Sequence, residues 1–355
     1  MENLTTTTDK LIEVMSLPQS TNEDINNAVN TSLECISGCN KEEVGTFMKR
    51  VFTLTSLPDI DRASFAAMFC GYLVEQGFPG DAIVEDMINL YDNFLDKSKP
   101  FFDLFYQKIN ELTDNGEPEK DGDSATDKLY NELLNNEDLI NDDIYNAVIS
   151  LDKFYNSAVS VFSVEKENHR KAKERLQSKI AYISDYSTGG YWLNKLFTVL
   201  FDEPVVVIEI DKKKGFTGKI SGIAENFQLQ YLLMSIPLLN DGNSVLSGKE
   251  LAVANGTGEQ SASKTIVSKW NMYNLEFTSQ DDRTNKTSDS KYWIWNEGTP
   301  ADISAHNGYR VILLGKPSYS RSSNLQRTFR NLKAGIEIER ELTTDEIDQW
   351  LGLLK

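Results

Sequence analysis

The sequence predicts an α+β protein: an all-helical N-terminal half, either a bundle or a short α-solenoid, followed by a mixed α/β C-terminal domain. In the first half, apolar residues recur every three or four positions, which is the spacing of amphipathic helices. The strongest β-branched run, PVVVIEI at 204–210, comes only in the second half. Charge divides at a similar place, since residues 1–150 carry 29 acidic and 10 basic side chains, against 25 and 26 in residues 151–355.

The chain of 355 residues is long enough for two or three domains, each with its own core. We expect an acidic helical domain over 1–112, an acidic linker or loop over 113–127, long helices joining the halves over 128–201, and a mixed α+β domain over 202–355. The linker, TDNGEPEKDGDSATD, is nearly free of apolar side chains and lacks the regular acidic spacing of a calcium-binding loop.

Helix boundaries in the first half are predicted from caps and prolines. Asn40 and Glu43 have the spacing of a capping box at the start of a helix. A second helix begins near Asp61, and its expected apolar stripe is Phe65, Met68, Phe69, Tyr72 and Leu73. A third helix begins at Asp81, and Pro100 is expected to start a fourth.

A heptad-like seam from Ile140 to Phe162 predicts a long helix that packs along another helix. The next segment, KENHRKAKERLQSK at 166–179, is strongly charged and mostly basic. It is either a solvated helix face with local ion pairs, or a basic strip that docks on the acidic N-terminal domain or on another anionic partner. His169, within this segment, is expected to face solvent rather than to bind a metal.

Glycines and lysines follow the strand at 204–210, in an order that phosphate-binding loops also have. Gly215, Gly218 and Gly222 do not match the spacing of a P-loop or of a dinucleotide-binding turn. A hairpin with a lysine-rich tip is therefore predicted, and no cofactor is expected.

The segment 291–314, KYWIWNEGTPADISAHNGYRVILL, is predicted to form a core hairpin joined by a polar loop. Its first strand places Trp293 and Trp295 on one face, because side chains alternate along a strand. Its second strand, 310–314, is expected to be buried. Trp293 and Trp295, together with Arg321 further along the chain, are the candidate ligand-binding residues.

The loop of this hairpin holds an alternative, catalytic set of residues. Acid–base chemistry would use His306, oriented by Asp302 or Glu297. Metal binding would need a further ligand from elsewhere in the chain, so no metal is expected. The same loop is also explained without any chemistry, as a series of turns capped by its carboxylates.

Composition excludes several classes of protein. An odd number of cysteines, Cys35, Cys39 and Cys70, does not make a disulfide framework and fits a reducing cytosol. The net charge of −18 disfavours nucleic-acid binding, which requires lysine and arginine. The N-terminus lacks the features of a signal peptide, and no apolar run is long enough to span a bilayer, so a cytoplasmic location without a membrane partner is expected.

The missing catalytic signature favours an intracellular interaction or ligand-binding protein without catalytic activity. A protein partner is expected to bind through the acidic helical half. One alternative is a hydrolase-like enzyme that uses Glu297, Asp302 and His306, with Arg321 as an anion clamp. A second alternative is a component of a bacterial toxin, immunity or defence system, which gene neighbourhood would decide.

Overall fold

The computed structural model describes residues 3–114, 122–242, 244–246, 248–275, 293–317 and 320–353. Helices form the N-terminal half, and a sheet with helices forms the C-terminal half, so the predicted α+β class is confirmed. The chain divides into two compact units, Met1–Phe197 and Thr198–Lys355. Within the described ranges, no helix is both long enough and apolar enough to cross a membrane.

The N-terminal unit is built from helices only, in the ranges that the structure describes. Their bounds are α1 Leu4–Ser16, α2 Asn22–Ile36, α3 Lys41–Phe52, α4 Ile60–Glu75, α5 Val84–Asp114, α6 Gly122–Leu134, α7 Asp142–Ser163, α8 Lys166–Ile183 and α9 Thr188–Phe197. Helix α7 packs against α4, α5 and α9, so it lies at the centre of the unit.

Local signals placed the start of α3 correctly. Asn40 and Glu43 form the predicted capping box, with each side chain accepting a hydrogen bond from the other residue's backbone N–H. The apolar stripe of α4 was predicted less well. Phe69 and Leu73 are buried, whereas Met68 and Tyr72 are exposed. Helix α4 is apolar around most of its circumference, and the period alone therefore did not identify which face is buried.

The predicted helix start at Pro100 was wrong, because Pro100 lies inside the continuous helix α5. A proline within a helix removes one backbone hydrogen bond and costs about 3 kcal/mol. The next residues, Phe101, Phe102 and Phe105, are fully buried, and burying such a side chain contributes about 1.5–3 kcal/mol. Their burial offsets the cost of the proline, so the helix continues.

The basic segment of α8 pairs with the acidic face of α5. Arg175 Nη2 lies 3.0 Å from Asp92, and Lys179 Nζ lies 2.6 Å from Asp92 and 2.5 Å from Asp96. Local pairs around Arg170 are present as well. Of the two interpretations, docking on acidic residues of the N-terminal half therefore describes one face of α8, and local ion pairs describe another.

The expectation that His169 faces solvent was wrong. Its side chain is buried, its ring packs edge-on against Phe197 at 6.0 Å, and its Nε2 lies 3.0 Å from the carbonyl oxygen of Leu196. Helix α8 packs against α5 and α9, and His169 lies on the face that they cover. The sequence around His169 is charged on both sides, so it did not indicate that this position is buried.

Because His169 is buried, we expect the stability of the protein to depend on pH. Burial lowers the pKa of His169 to about 4, against 6.5 in an unfolded chain, so only the unfolded chain binds its proton near pH 5. The contribution of neutral His169 to the free energy of unfolding is therefore fully present above pH 6.5 and is lost as the pH falls towards 4. Between pH 7 and pH 5 we expect His169 to cost about 2 kcal/mol of unfolding free energy.

Urea unfolding of the wild type and of His169→Gln, followed by helical circular dichroism at pH 7, 6 and 5, measures this effect. Glutamine keeps a side-chain donor for the Leu196 carbonyl but does not titrate. The wild type should lose more stability than the variant on acidification. Parallel pH curves for the two proteins would contradict the assignment.

The C-terminal unit contains a mixed sheet, a small two-stranded sheet and three α-helices in its described ranges. Their bounds are β1 Glu203–Glu209, β2 Lys214–Ser221, α10 Asn226–Met234, α11 Lys249–Asn255, β3 Ser261–Val267, β4 Asn271–Tyr273, β5 Ala305–His306, β6 Tyr309–Gly315, β7 Ser322–Gln326, β8 Gly335–Glu341 and α12 Thr344–Leu351. The main sheet has the order β4-β6-β1-β2-β8, with β5 also pairing with β6.

Strand β1 is central and buried on both faces, as its β-branched run predicted. Val205 and Val207 face one core, which α10 and α11 cover, and Val206 and Ile208 face the other, which contains Ile347 of α12. The predicted β1–β2 hairpin is confirmed. Strand β6 pairs with β1 in parallel, while the other pairings in the sheet are antiparallel.

The predicted hairpin between the tryptophan segment and β6 was wrong. Residues 291 and 292 lie outside the described ranges, and Trp293 forms a single antiparallel bridge with Tyr273 of β4. The hairpin partner of β6 is instead the short strand β5, joined to it by Asn307 and Gly308, which both have positive φ. The Asn-Gly pair is the local turn signal that explains this pairing.

Candidate functional site

A small cavity lies where the tryptophan segment meets the start of α10, within the C-terminal unit. Its volume is about 120 Å³, and it is named the tryptophan cavity here. Its lining residues are Asn226, Asn274, Trp293, Ile294, Trp295, Gly298, Asp302 and Ile303. Both predicted ligand-binding tryptophans, and one of the three candidate catalytic residues, therefore belong to this cavity.

The two tryptophans form a stacked aromatic wall. Their ring centroids are 6.0 Å apart with an interplanar angle of 28°, as expected for alternate residues of one extended segment. Trp293 is held from behind by the edge-on ring of Tyr273 at 5.5 Å. Trp295 is 47% exposed, so it offers a ring surface to solvent that folding leaves uncovered.

Arg321 lies beside this wall and is already paired. Its guanidinium carbon is 5.7 Å from the ring centroid of Trp295, which is a cation–π distance. Its Nη2 donates to both carboxylate oxygens of Glu297, at 2.8 and 3.0 Å. The Arg321 side chain is mostly buried and Glu297 is exposed, so the pair supports the outer side of Trp295.

The first turn of α10 fixes the turn that follows Trp295. The backbone N–H groups of Asn226 and Phe227 donate to the carbonyl oxygens of Gly298 and Asn296, both at 2.9 Å. Helix starts leave such donors without helical partners, so the turn satisfies them. A side chain at Gly298 would approach Asp302 Oδ2 to 3.1 Å, which explains a glycine at this point of the lining.

Asn226 is the unusual residue of the tryptophan cavity. It is 1% exposed, and its Nδ2 donates to the carbonyl oxygen of Trp295 at 2.8 Å. That bond orients the amide, and the remaining oxygen, Oδ1, is buried without a hydrogen-bond partner. A buried polar atom left unpaired costs about 1–3 kcal/mol, so a ligand that donates a hydrogen bond to it would recover that energy.

The three candidate catalytic residues make separate contacts. Glu297 is bound to Arg321, and Asp302 Oδ2 accepts the backbone N–H of Thr299 at 2.8 Å. His306 belongs to β5, and its ring packs against Trp350 at 6.0 Å; it is not among the residues that line the cavity. These contacts agree with the interpretation of the loop as capped turns, and they give the hydrolase hypothesis no support.

The polar half of this site was not predicted from the sequence. The chain has many asparagines, and the residues next to Asn226 and Asn274 in the sequence do not indicate that these two are buried. The usable feature is the start of α10 at Asn226, because the first residues of a helix supply backbone donors without helical partners. The partners of these donors, Gly298 and Asn296, are about seventy residues away in the sequence and could not be predicted from local patterns.

Comparison with known proteins adds no further information about this site. No protein-family model matches the chain, and no match was found among curated proteins or among solved structures.

Proposed function

We propose that the C-terminal unit is a binding module without catalytic activity, which holds a small N–H-bearing group of a ligand in the tryptophan cavity. The unpaired, buried Oδ1 of Asn226 is the observation that carries this proposal. Exposed Trp295 extends the contact surface beyond the cavity, and an amphipathic aromatic side chain of this kind is typical of binding sites.

Size and chemistry narrow the group that would enter. A volume of about 120 Å³ accommodates one side-chain terminus rather than a whole cofactor, since pockets for drug-sized ligands are about 300 Å³ or larger. Asn226 Oδ1 and the Asp302 carboxylate are both acceptors, and the adjacent wall is aromatic. A planar group with two or more N–H donors, such as a carboxamide or a guanidinium, matches both features.

Binding of capped amino acids to the intact chain tests the proposal. Tryptophan fluorescence and calorimetry would be recorded with N-acetylated methylamides of asparagine, arginine and leucine. The first two carry planar N–H groups, so at least one of them should bind, while leucine of similar bulk should not. Binding of leucine as tightly as the others would contradict the role of Asn226.

Two variants assign the binding to this cavity. Asn226→Leu removes the acceptor and Trp295→Ala removes the exposed wall, and each should weaken binding by about tenfold or more, corresponding to about 1.4 kcal/mol. Ile338→Ala is the matched control, because Ile338 is an exposed apolar side chain of the same unit that does not line the cavity. Unchanged affinity in both cavity variants would overturn the proposal.

A further inference from the structure

A second, larger cavity lies inside the N-terminal helical unit. Its volume is about 390 Å³, within the range of small-molecule sites, and side chains of α5, α6, α7 and α9 and of the α8–α9 connection line it. It is named the tyrosine cavity here, after its lining residues Tyr130, Tyr186 and Tyr191. It belongs to the other unit of the chain and is independent of the function proposed above.

Two tyrosine rings of this cavity pack edge-on against one buried phenylalanine. Phe105 is fully buried at its base. Tyr130 and Tyr186 both stand nearly perpendicular to the Phe105 ring, with centroids 5.3 and 4.9 Å away and interplanar angles of 83° and 81°. Tyr191 also lines the cavity and is 51% exposed. Several aromatic rings lining one pocket are the means by which proteins enclose ammonium groups.

Carboxylates supply the matching charge. Asp127, Asp152 and Asp185 line the cavity, and none of its described lining residues is a lysine, an arginine or a histidine. Asp152 is fixed in place, because its Oδ1 accepts hydrogen bonds from Ser187 Oγ and from the backbone N–H of Gly189, both at 2.8 Å. Burial, and then the charge of Asp152, raise the pKa of Tyr130, so its phenol stays neutral.

These carboxylates are not arranged for a metal ion. Across the part of the chain that the structure describes, no group of three His, Cys, Asp or Glu side chains could hold one. Three carboxylates spread around a wider, aromatic cavity suit a larger cation with a lower charge density. The whole unit favours cations too, since residues 1–197 carry 34 acidic and 18 basic side chains.

We propose that the tyrosine cavity binds an alkylammonium group. The rings of Tyr130, Tyr186 and Tyr191 surround the cation and its attached carbons, and the three aspartates neutralise its charge. Such a group has two natural sources, a small free amine and the side chain of a lysine on a protein partner. Both present the same chemistry to the cavity, and the experiment separates them.

Calorimetric titration of the intact chain with two probes tests the proposal. The probes are n-butylammonium, as a free amine, and N-acetyl-lysine methylamide, as a lysine side chain. Their neutral counterparts are n-butanol and the same lysine compound acetylated on Nζ. At least one charged probe should bind about tenfold or more tightly than its neutral counterpart, and 500 mM NaCl should weaken that binding. The probe that binds more tightly identifies the source.

Variants place the binding in the cavity. Tyr186→Leu keeps an apolar side chain but removes the aromatic ring, and it should weaken binding about tenfold; Asp185→Asn should weaken it several-fold. Tyr191→Leu is a second ring variant at an exposed position, in case Tyr186→Leu does not fold. Tyr145→Leu is the matched control, since Tyr145 is a partly exposed tyrosine of the same unit outside the cavity.

Three outcomes would overturn the proposal: neutral and charged probes that bind equally, no binding of either charged probe below about 1 mM, or full affinity in both Tyr191→Leu and Asp185→Asn. Trp295→Ala should leave ammonium binding unchanged, because Trp295 belongs to the C-terminal unit. Failure of the tryptophan cavity to bind its probes therefore remains distinguishable from failure here.

Discussion

Gly222→Ala is expected to destabilise the C-terminal unit by about 3–5 kcal/mol, enough to unfold a marginally stable domain. Gly222 has a φ of +67°, where an alanine costs about 1–2 kcal/mol. An added Cβ would also lie 1.9 Å from the carbonyl oxygen of Lys333, so the backbone approaching β8 would have to move. Both effects have the same sign.

Urea unfolding followed by tryptophan fluorescence measures this loss, since four of the five tryptophans belong to the C-terminal unit. Gly335→Ala is a closely matched control. Gly335 pairs with Ser221, the residue before Gly222, yet a Cβ at Gly335 meets nothing within 4 Å. The control should stay within about 0.5 kcal/mol of the wild type. Equal unfolding midpoints for the two variants would contradict the prediction.

Gly189→Ala should destabilise the helical unit by about 2–4 kcal/mol. Replacing a glycine inside a helix with alanine normally stabilises it by about 1 kcal/mol. Here a Cβ would lie 2.2 Å from the carbonyl oxygen of Leu151 in α7, an atom that also accepts the hydroxyl of Tyr91 at 2.9 Å. The clash with a fixed backbone outweighs the helix propensity, so the sign reverses.

Gly45→Ala in α3 provides the comparison with the opposite sign. A Cβ there meets Ala82 at 3.4 Å and Pro79 at 3.5 Å, which are ordinary contact distances. Helix propensity should then decide, and the variant should be neutral or more stable by up to about 1 kcal/mol. Urea unfolding followed by circular dichroism at 222 nm measures both variants. A stabilised Gly189→Ala variant would contradict the close contact between Gly189 and the Leu151 carbonyl oxygen.

Features set by neighbouring residues were predictable from the sequence. The Asn40–Glu43 cap depends on residues three apart, and the shared face of Trp293 and Trp295 depends on the two-residue period of extended chain. The strand at 204–210 was identified because β-branched residues buried on both faces leave a continuous apolar run.

Features set by distant residues were not predictable. Pro100 sits within a helix because the phenylalanines after it are buried in the packed unit, and His169 is buried because α9 covers it. The tryptophan segment pairs with β4 rather than β6, and both choices satisfy the local pattern equally. Gly215, Gly218 and Gly222, which match no phosphate-binding motif, lie instead where the backbone of another segment is in close contact. The carbonyl oxygens nearest to them belong to Val207, Glu337 and Lys333, respectively.

The candidate site divides in the same way. Its aromatic half could be predicted because the chain has few tryptophans and two of them are close together in the sequence. The role of Asn226 depends instead on the hydrogen bond from its Nδ2 to Trp295 and on its Oδ1, which has no hydrogen-bond partner. The tyrosine cavity was missed for the same reason. Phe105, Tyr130 and Tyr186 come from three separate stretches of chain, and no local spacing relates them.

The parallel pairing of β1 with β6 has a consequence for synthesis on the ribosome. Val205 pairs with Arg310, so about a hundred residues must be translated between the two strands. At about 5–20 residues per second, one edge of the valine-rich strand β1 waits about 5–20 seconds for its neighbour. An open apolar edge is a site of aggregation, and nascent chains that stop before β6 are expected to need a chaperone or to be degraded.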